Sequence, residues 1–194
     1  TSASCPAQLL RNLMHFASRD AMDIDGLGPA LLENLVNAGW VHSPADLYEL
    51  KEEEVAKLDR MGKKSAANLM ASLERSKQND LSRVIFALGI PEVGEKMAAL
   101  LAQQFGTMEK LSWATLEELT AIDGFGEVVA QNIVSFFLEE RNRRQIERLA
   151  RAGINMESKK VKAGDTFAGM TFVLTGTLPT LKRSEAKELI ESLG

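Results

Sequence analysis

One short pattern recurs four times in this chain, and its spacing constrains the fold more than any other feature. Each copy runs from an apolar residue to a glycine four positions later, with a second apolar residue just before the glycine. The copies lie at 24–28, 58–62, 90–94 and 122–126. Their closing glycines are 34, 32 and 32 residues apart. A register kept this well over four copies indicates a structural repeat.

Each copy is predicted to form a helix, a tight turn and a second helix, which is the helix-hairpin-helix motif. The apolar residue before the glycine can pack beneath the turn. The glycine itself suits either a positive φ or close approach by another group. The second helix begins just after the glycine, and its first backbone N–H groups lack partners inside the helix. These donors and the helix dipole favour an anion such as a phosphodiester.

Two interpretations of the turns stay open at this stage. Glycine is common at helix ends, so each turn can also be a cap with a buried plug and no ligand. The repetition in register favours phosphate contact for the set. The predicted DNA-contacting residues are Gly26, Leu27, Gly28, Arg60, Met61, Gly62, Lys63, Lys64, Ser65, Gly94, Lys96, Gly124 and Gly126.

The four copies differ in charge. The second carries three basic residues and a serine around its glycine, whereas the third offers only Lys96 between acidic neighbours. The first and fourth are flanked by acidic residues, which are Asp23, Asp25, Asp123 and Glu127. Copies one and four must therefore rely on backbone donors or serve packing.

The composition supports a packed domain but not a general electrostatic grip on nucleic acid. Hydrophobic residues make up 45% of the 194 residues, and the net charge is −4. No apolar run is long enough to span a membrane, and no signal peptide is recognisable. Cys5 is the single cysteine, so an intrachain disulfide is excluded. We expect a cytoplasmic protein with no membrane partner.

The chain is predicted to be mainly α-helical up to 153. Pro6 opens a helix whose apolar face contains Leu9, Leu10, Leu13, Met14 and Ala17. Thr115 and Glu118 have the spacing of a capping box. The last long helix is predicted from Glu127 towards Ala152. Its arginines at 141, 143, 144, 148 and 151 alternate with glutamates, which favours a solvated, salt-bridged face over a DNA-binding stripe.

After 153 the pattern changes. The polar, lysine-containing stretch at 154–166 is predicted to be a linker. Residues 170–175 are apolar and β-rich, which predicts a buried strand, and a helix is predicted from Ser184 through Leu193. One strand and one helix cannot close a core, so 167–194 is predicted to be a truncated α/β unit.

The order of these parts resembles the C-terminal half of the bacterial NAD-dependent DNA ligases. The resemblance rests on Cys-Pro-Ala-Gln at 5–8, on 16–28, on 61–66 and on 167–178. It implies that 1–7 is the end of a zinc-finger segment, 8–153 a helix-hairpin-helix DNA-binding domain and 167–194 an incomplete BRCT domain.

The resemblance also implies an activity for the complete enzyme. The family seals single-strand nicks in duplex DNA in replication and repair by passing AMP from NAD, through a lysine, to the 5′-phosphate. That lysine lies in a Lys-x-Asp-Gly motif. This chain has Asp-Gly at 25–26 and at 123–124, but Asp23 and Ala121 stand two residues before them, where the lysine would be. We therefore expect no catalytic residue in this segment, which would be inactive alone and need the adenylation and OB domains of the same chain. The expected partner is nicked double-stranded DNA, gripped non-sequence-specifically at its minor-groove backbone by a monomer.

The cofactors implied by the resemblance belong to the full-length protein, and they are NAD, magnesium and zinc. Cys5 corresponds to the last of four zinc-binding cysteines, and the other three are absent from this sequence. One cysteine cannot make a tetrahedral site, so Cys5 is expected to be an unligated thiol here. Two other functions stay open, namely a non-enzymatic scaffold for branched or nicked DNA and a helical protein-interaction module, which the acidic charge favours.

Overall fold

The structure is a computed structural model that describes residues 5–159 together with residues 186, 187 and 190. Residues 5–159 form ten α-helices and one 3-10 helix. The α-helices are α1 Pro6–Ala17, α2 Pro29–Asn37, α3 Glu52–Val55, α4 Lys63–Ser76, α5 Leu81–Ala87, α6 Glu95–Phe105, α7 Met108–Ser112, α8 Leu116–Thr120, α9 Glu127–Leu138 and α10 Glu140–Arg151. The 3-10 helix, Pro44–Glu49, lies between α2 and α3. Among these helices, none combines the length and apolar composition needed to cross a membrane.

The mainly α-helical prediction is confirmed. Within the described range, β pairing is limited to an isolated antiparallel bridge between Thr107 and Glu157. The predicted strand at 170–175 lies outside the described residues. Of the helix predicted after it, Ala186, Lys187 and Ile190 are described and are helical. The BRCT-like unit as a whole therefore stays a prediction.

Helix α1 shows how apolar spacing builds the core. It begins at Pro6, as predicted, because proline has a suitable φ and needs no hydrogen-bond acceptor there. Leu13 and Phe16 are fully buried. Met14, which the spacing places on the same face, is 40% exposed instead. It lies about 100° around the helix from Leu13, at the edge of the buried face.

Four helix pairs flank the four turns. α1 packs on α2, α3 on α4, α5 on α6, and α8 on α9. Their buried side chains belong to a single hydrophobic cluster that also includes Leu149 of α10. The helices thus present the repeated turns from one continuous core.

The helix predicted from 127 towards 152 is two helices in the structure, so that prediction is wrong. Glu139, between α9 and α10, is extended with φ −70° and ψ 119°. The side-chain amide of Asn142 donates to the backbone carbonyl of Phe136 at 2.9 Å and satisfies an acceptor at the end of α9. No proline or glycine marks this break, so apolar periodicity alone could not reveal it.

The break directs α10 onto the 3-10 helix. The Arg148 guanidinium donates to Asp46 at 2.5 Å, Glu49 at 3.0 Å and the Ser43 hydroxyl at 3.1 Å. Burial acts to raise the pKa of Asp46, but hydrogen bonds from Arg148 and from the backbone N–H groups of His42 and Ser43 outweigh it and lower the pKa below its usual value. This contact joins the first half of the domain to the second.

The start of the predicted linker, 154–159, packs against the helical domain. The Asn155 N–H donates to the Lys77 carbonyl at 2.9 Å, and the Lys159 N–H donates to the Asp80 carboxylate at 2.8 Å. Hydrogen bonding to the domain therefore continues beyond its predicted end at 153. The rest of the predicted linker lies outside the described residues.

Candidate nucleic-acid interface

Each of the four turns places its third residue in the left-handed region. The φ values are +86° at Gly26, +60° at Arg60, +65° at Glu92 and +82° at Gly124. In copies two to four, the fourth residue donates its N–H to the carbonyl of the first at 3.0 to 3.1 Å. A positive φ confined to this position is the signature of a type II turn. The positive φ considered for the closing glycine thus belongs to the residue two positions earlier.

The closing glycines have ordinary backbone conformations. Their φ values are −80° at Gly28, −137° at Gly62, −84° at Gly94 and −75° at Gly126. A Cβ added at any of the four would meet no protein atom within 4 Å. Neither backbone strain nor crowding inside the protein requires glycine there. The missing side chain leaves the backbone open to close approach by an outside group.

The helices that follow these glycines keep their first N–H groups open. α2, α4, α6 and α9 have no side-chain hydrogen bond at the N-cap. α1, α3 and α10 also lack a side-chain cap, but none of them follows a glycine. Asp80, Thr107 and Thr115 cap α5, α7 and α8, accepting backbone N–H groups at 3.1 to 3.2 Å. The capping box of Thr115 with Glu118 is confirmed. α2 has one donor fewer, because its first residue is Pro29.

The apolar residue before each closing glycine supports the turn from below. Leu27, Val93 and Phe125 are buried, at 5 to 7% exposure, and Met61 is half-buried. The structure therefore places Leu27 and Met61, two of the predicted contact residues, mainly in packing.

The second turn has the most available positive charge. Arg60, Lys63 and Lys64 are exposed, as is Ser65. None of the three basic side chains pairs with an acidic group among the described residues. They lie within one helical turn of the N–H groups that follow Gly62, so this copy combines open amides with exposed cations that have no acidic partner among the described residues.

The third and fourth turns are poorer in cations. Lys96 is exposed at the second position of α6, and Glu95 precedes it. Gly124 and Gly126 are exposed, and the helix after them begins with Glu127. At these two copies the backbone amides are the main groups available to an anion.

Two arginines near the first turn are not apparent from the motif. The Arg75 guanidinium of α4 lies 3.8 Å from the Asp25 carboxylate, and both are largely exposed. Arg19 lines a shallow hollow of about 600 Å³ together with Gly26 and Gly28. Arg75 belongs to the second copy and Arg19 precedes the first turn. Only the three-dimensional structure shows that these positive charges lie beside the acidic residues of that turn.

Side chains of the second hairpin in each pair hold the turn of the first. The Asp25 N–H donates to the buried Ser72 hydroxyl of α4 at 2.7 Å. The Asn132 amide of α9 donates to the Pro91 carbonyl at 3.3 Å. Residues 25 and 91 are equivalent, because each lies three positions before a closing glycine. Residue 91 is a proline and has no N–H, so the hydrogen bond in the second pair is made to its carbonyl. The four turns therefore form two tethered pairs.

The arginines of α10 are partly engaged in ion pairs. Arg144 pairs with Glu140 at 2.5 Å, one helical turn away, and Arg148 is bound to the 3-10 helix. These contacts agree with a salt-bridged face. Arg141, Arg143 and Arg151 have no acidic partner among the described residues.

Cys5 is an exposed thiol at the N-cap of α1. Hydrogen bonds from the backbone N–H groups of Ala7 and Gln8 lower the pKa of this thiol, which favours the thiolate that binds zinc. The described residues contain no group of three or more His, Cys, Asp or Glu side chains that could hold a metal ion. They do not by themselves fit the zinc site that the resemblance implies.

Two family models match the chain, one for each pair of turns. A SAM-like helix-hairpin-helix tandem matches residues 18–75, and a helix-hairpin-helix motif matches residues 83–146. The boundary between the two matches falls between the tethered pairs. The tandem helix-hairpin-helix prediction is thereby confirmed.

Similar proteins extend this agreement over the whole chain. A DNA ligase of Heliobacterium modesticaldum is 53% identical over 199 residues, covering 100% of this chain and 29% of its own length. One of Methylacidiphilum infernorum is 50% identical over 192 residues, covering 98% and 28%. One of a Thermoanaerobacter species is 48% identical over 195 residues, covering 100% and 30%.

The chain belongs to the bacterial DNA ligase family, as its helix-hairpin-helix portion. It spans less than a third of the length of the relatives that it matches. The family and the repeated turns agree on a DNA-binding segment of a larger protein.

Proposed function

We propose that this segment holds nicked double-stranded DNA within an NAD-dependent DNA ligase, contacting minor-groove phosphates without reading base sequence. The observation that carries the proposal is that all four closing glycines lie in open space before uncapped helix N-termini. Amide donors at such positions bind phosphate whatever the neighbouring bases are. The DNA ligase relatives supply the nick-sealing context.

The arrangement in pairs suits a duplex, because its two strands are antiparallel. Two hairpins related by a pseudo-dyad can each meet one strand. The tethers from Ser72 and Asn132 support this. Each holds the first turn of its pair against the second helix of the pair's second hairpin. Contacts of this kind set the position of the duplex rather than its sequence.

The chemistry is proposed to reside elsewhere in the parent protein. The whole enzyme would seal single-strand nicks in replication and repair with NAD as the adenylate donor and with magnesium. Cys5 would contribute one ligand to a zinc site completed by cysteines outside this segment. Alone, the segment would be an inactive, monomeric DNA-binding unit of the bacterial cytoplasm.

A salt titration with nicked duplex tests the proposal. Binding measured by fluorescence anisotropy should weaken with salt, and log K should fall by about 0.9 per log unit of salt for each phosphate neutralised. Lys63→Gln with Lys64→Gln should reduce that slope by about 2. The matched control, Arg143→Gln with Arg151→Gln, removes the same charge from α10 and should change that slope little. Equal losses in the two variants, or a larger loss in the control, would contradict the assignment of the surface.

The net charge of −4 is the observation that favours the alternative of a protein-interaction module. In that case nicked duplex would show no measurable binding even at low salt. Tighter binding to a four-way junction than to a nicked duplex would instead favour a scaffold for branched DNA.

A further inference from the structure

A groove of about 800 Å³ lies between α1, the start of the 3-10 helix, the α5–α6 connection and α10. Its volume is in the range of ligand-binding sites. Its charged lining among the described residues is entirely basic, and consists of Arg11, Arg141, Arg144 and Arg148. In a chain with a net charge of −4, this is a local concentration of positive charge that selects an anionic ligand.

Three of the four guanidinium groups are available. Arg148 is held by Asp46 and Glu49. Arg144 pairs with Glu140, but both side chains are about 70% exposed, and exposed pairs of this kind are weak and easily exchanged. The guanidinium of Arg11 donates to neutral Gln8 at 2.9 Å. Arg141 is exposed and has no acidic partner within the described range.

The rest of the lining combines polar side chains, such as Asn142 and Gln145, with apolar and aromatic ones. Leu9, Leu88 and Phe136 are half-buried in the groove, beside His15 and His42. A sugar–phosphate chain alone would leave the apolar part of this lining uncovered. Bases have apolar faces that stack on it, and a basic groove with an aromatic floor is the common arrangement for single-stranded nucleic acid.

The groove is distinct from the proposed phosphate sites. The third hairpin contributes Ile90 and Val93, the side chains tucked beneath its turn, and not Gly94 or Lys96. A hollow of this volume admits one strand with its bases unstacked but not a duplex. A ligand in the groove therefore leaves the open amides of that hairpin free.

We propose that this groove binds single-stranded DNA. Arg11, Arg141 and Arg144 contact consecutive phosphates, and bases stack against Phe136 and Leu88. Such a site would let the segment hold an unpaired strand while the hairpins hold duplex, and it does not depend on the hairpins binding duplex.

Anisotropy with a labelled oligothymidylate of about twelve nucleotides tests the groove directly. The variant Arg11→Gln/Arg141→Gln/Arg144→Gln should bind about tenfold more weakly, with a salt slope lower by about 2. The control Lys110→Gln/Arg143→Gln/Arg151→Gln removes the same charge outside the groove and should bind within about twofold of wild type. Phe136→Leu keeps the apolar packing and should weaken binding at an unchanged salt slope. Thermal unfolding establishes that each variant is folded.

Equal losses in the groove and control variants would overturn the proposal. So would loss of oligothymidylate binding in Lys63→Gln/Lys64→Gln as large as in the groove variant, because the strand would then lie on the hairpins. Competition by polyglutamate as effective as by unlabelled oligothymidylate would assign the groove to an acidic protein segment. The two proposals fail separately, since wild-type protein that binds no nicked duplex contradicts only the proposed function.

Discussion

Replacing Gly62 with serine separates the stability of the second hairpin from its binding of DNA. Gly62 is the N-cap of α4, with φ −137° and ψ 177°, and an added side chain would meet no atom within 4 Å. Serine is a preferred N-cap residue because its hydroxyl accepts the N–H of the second or third helical residue. In α4 those are Lys64 and Ser65. The substitution therefore gives a hydrogen-bond partner within the protein to an N–H group that we assign to phosphate.

The two effects have opposite signs. Serine instead of glycine at an N-cap stabilises by a few tenths of a kcal/mol, which raises Tm by about 1 °C in a domain of this size. Loss of one N–H bond to a phosphate oxygen weakens binding by about 1.5 to 3 kcal/mol, or roughly ten- to a hundredfold. The salt slope should not change, because no charge is altered.

Cys5→Ser is the matched control. Cys5 is also an exposed N-cap, and serine replaces its thiol with a hydroxyl that can accept the same backbone N–H groups. This variant should have a stability close to that of wild type and bind nicked duplex like wild type. Thermal unfolding by circular dichroism and anisotropy at one salt concentration give both quantities. If Gly62→Ser were as stable as expected yet bound DNA normally, the open amides of this turn would not be the phosphate site.

Three further outcomes follow from the turns and the core. Gly62→Val should fold, because the position is open, yet weaken binding of nicked duplex by blocking the turn; normal anisotropy would contradict this. Gly124→Ser should lower the free energy of unfolding by about 1 to 2 kcal/mol, because φ is +82° at this position. Gly126→Ser, two residues later, should leave the free energy of unfolding within about 0.5 kcal/mol of wild type. Equal denaturation midpoints for the two variants would refute this distinction. Burial, opposed by the hydrogen bond to Ser76, raises the pKa of Tyr48 from 10.0 to about 12. The neutral phenol therefore contributes its full stabilisation below pH 10, and this contribution is lost as pH rises from 10 through 12. In urea unfolding, Tyr48→Phe should lose less stability than wild type over this pH range. An identical pH dependence of stability in the two proteins would contradict this prediction.

The hairpins could be predicted from sequence because each is a local structure. Turn, plug and second helix all lie within a few residues of one glycine, so spacing alone locates them. The Thr115 capping box is likewise local and was predicted correctly. Pro6 marks the start of α1 for the same reason.

What the sequence could not show depends on contacts between distant residues. The break at Glu139 carries no proline or glycine, and it is stabilised by Asn142 and by the docking of Arg148 on the 3-10 helix. The packing of 154–159 combines backbone hydrogen bonds with the bond from the Lys159 N–H to the Asp80 carboxylate, 79 residues away in the chain. The same holds for the tether between Asp25 and Ser72, which are 47 residues apart.

Two positions in each turn, the third residue and the closing glycine, obey different constraints, and the contrast between them supports an outside ligand. The third position of the turn has a positive φ and favours glycine for the sake of the fold, yet two copies place Arg60 and Glu92 there and accept the strain. The closing position has an ordinary φ and empty space around it, so the fold would accept many residues. All four copies nevertheless keep glycine at it. Because the protein's own atoms do not require that glycine, its presence in all four copies supports our proposal that a group approaches the backbone from outside. For a segment of a DNA ligase, we propose that this group is a phosphate of duplex DNA.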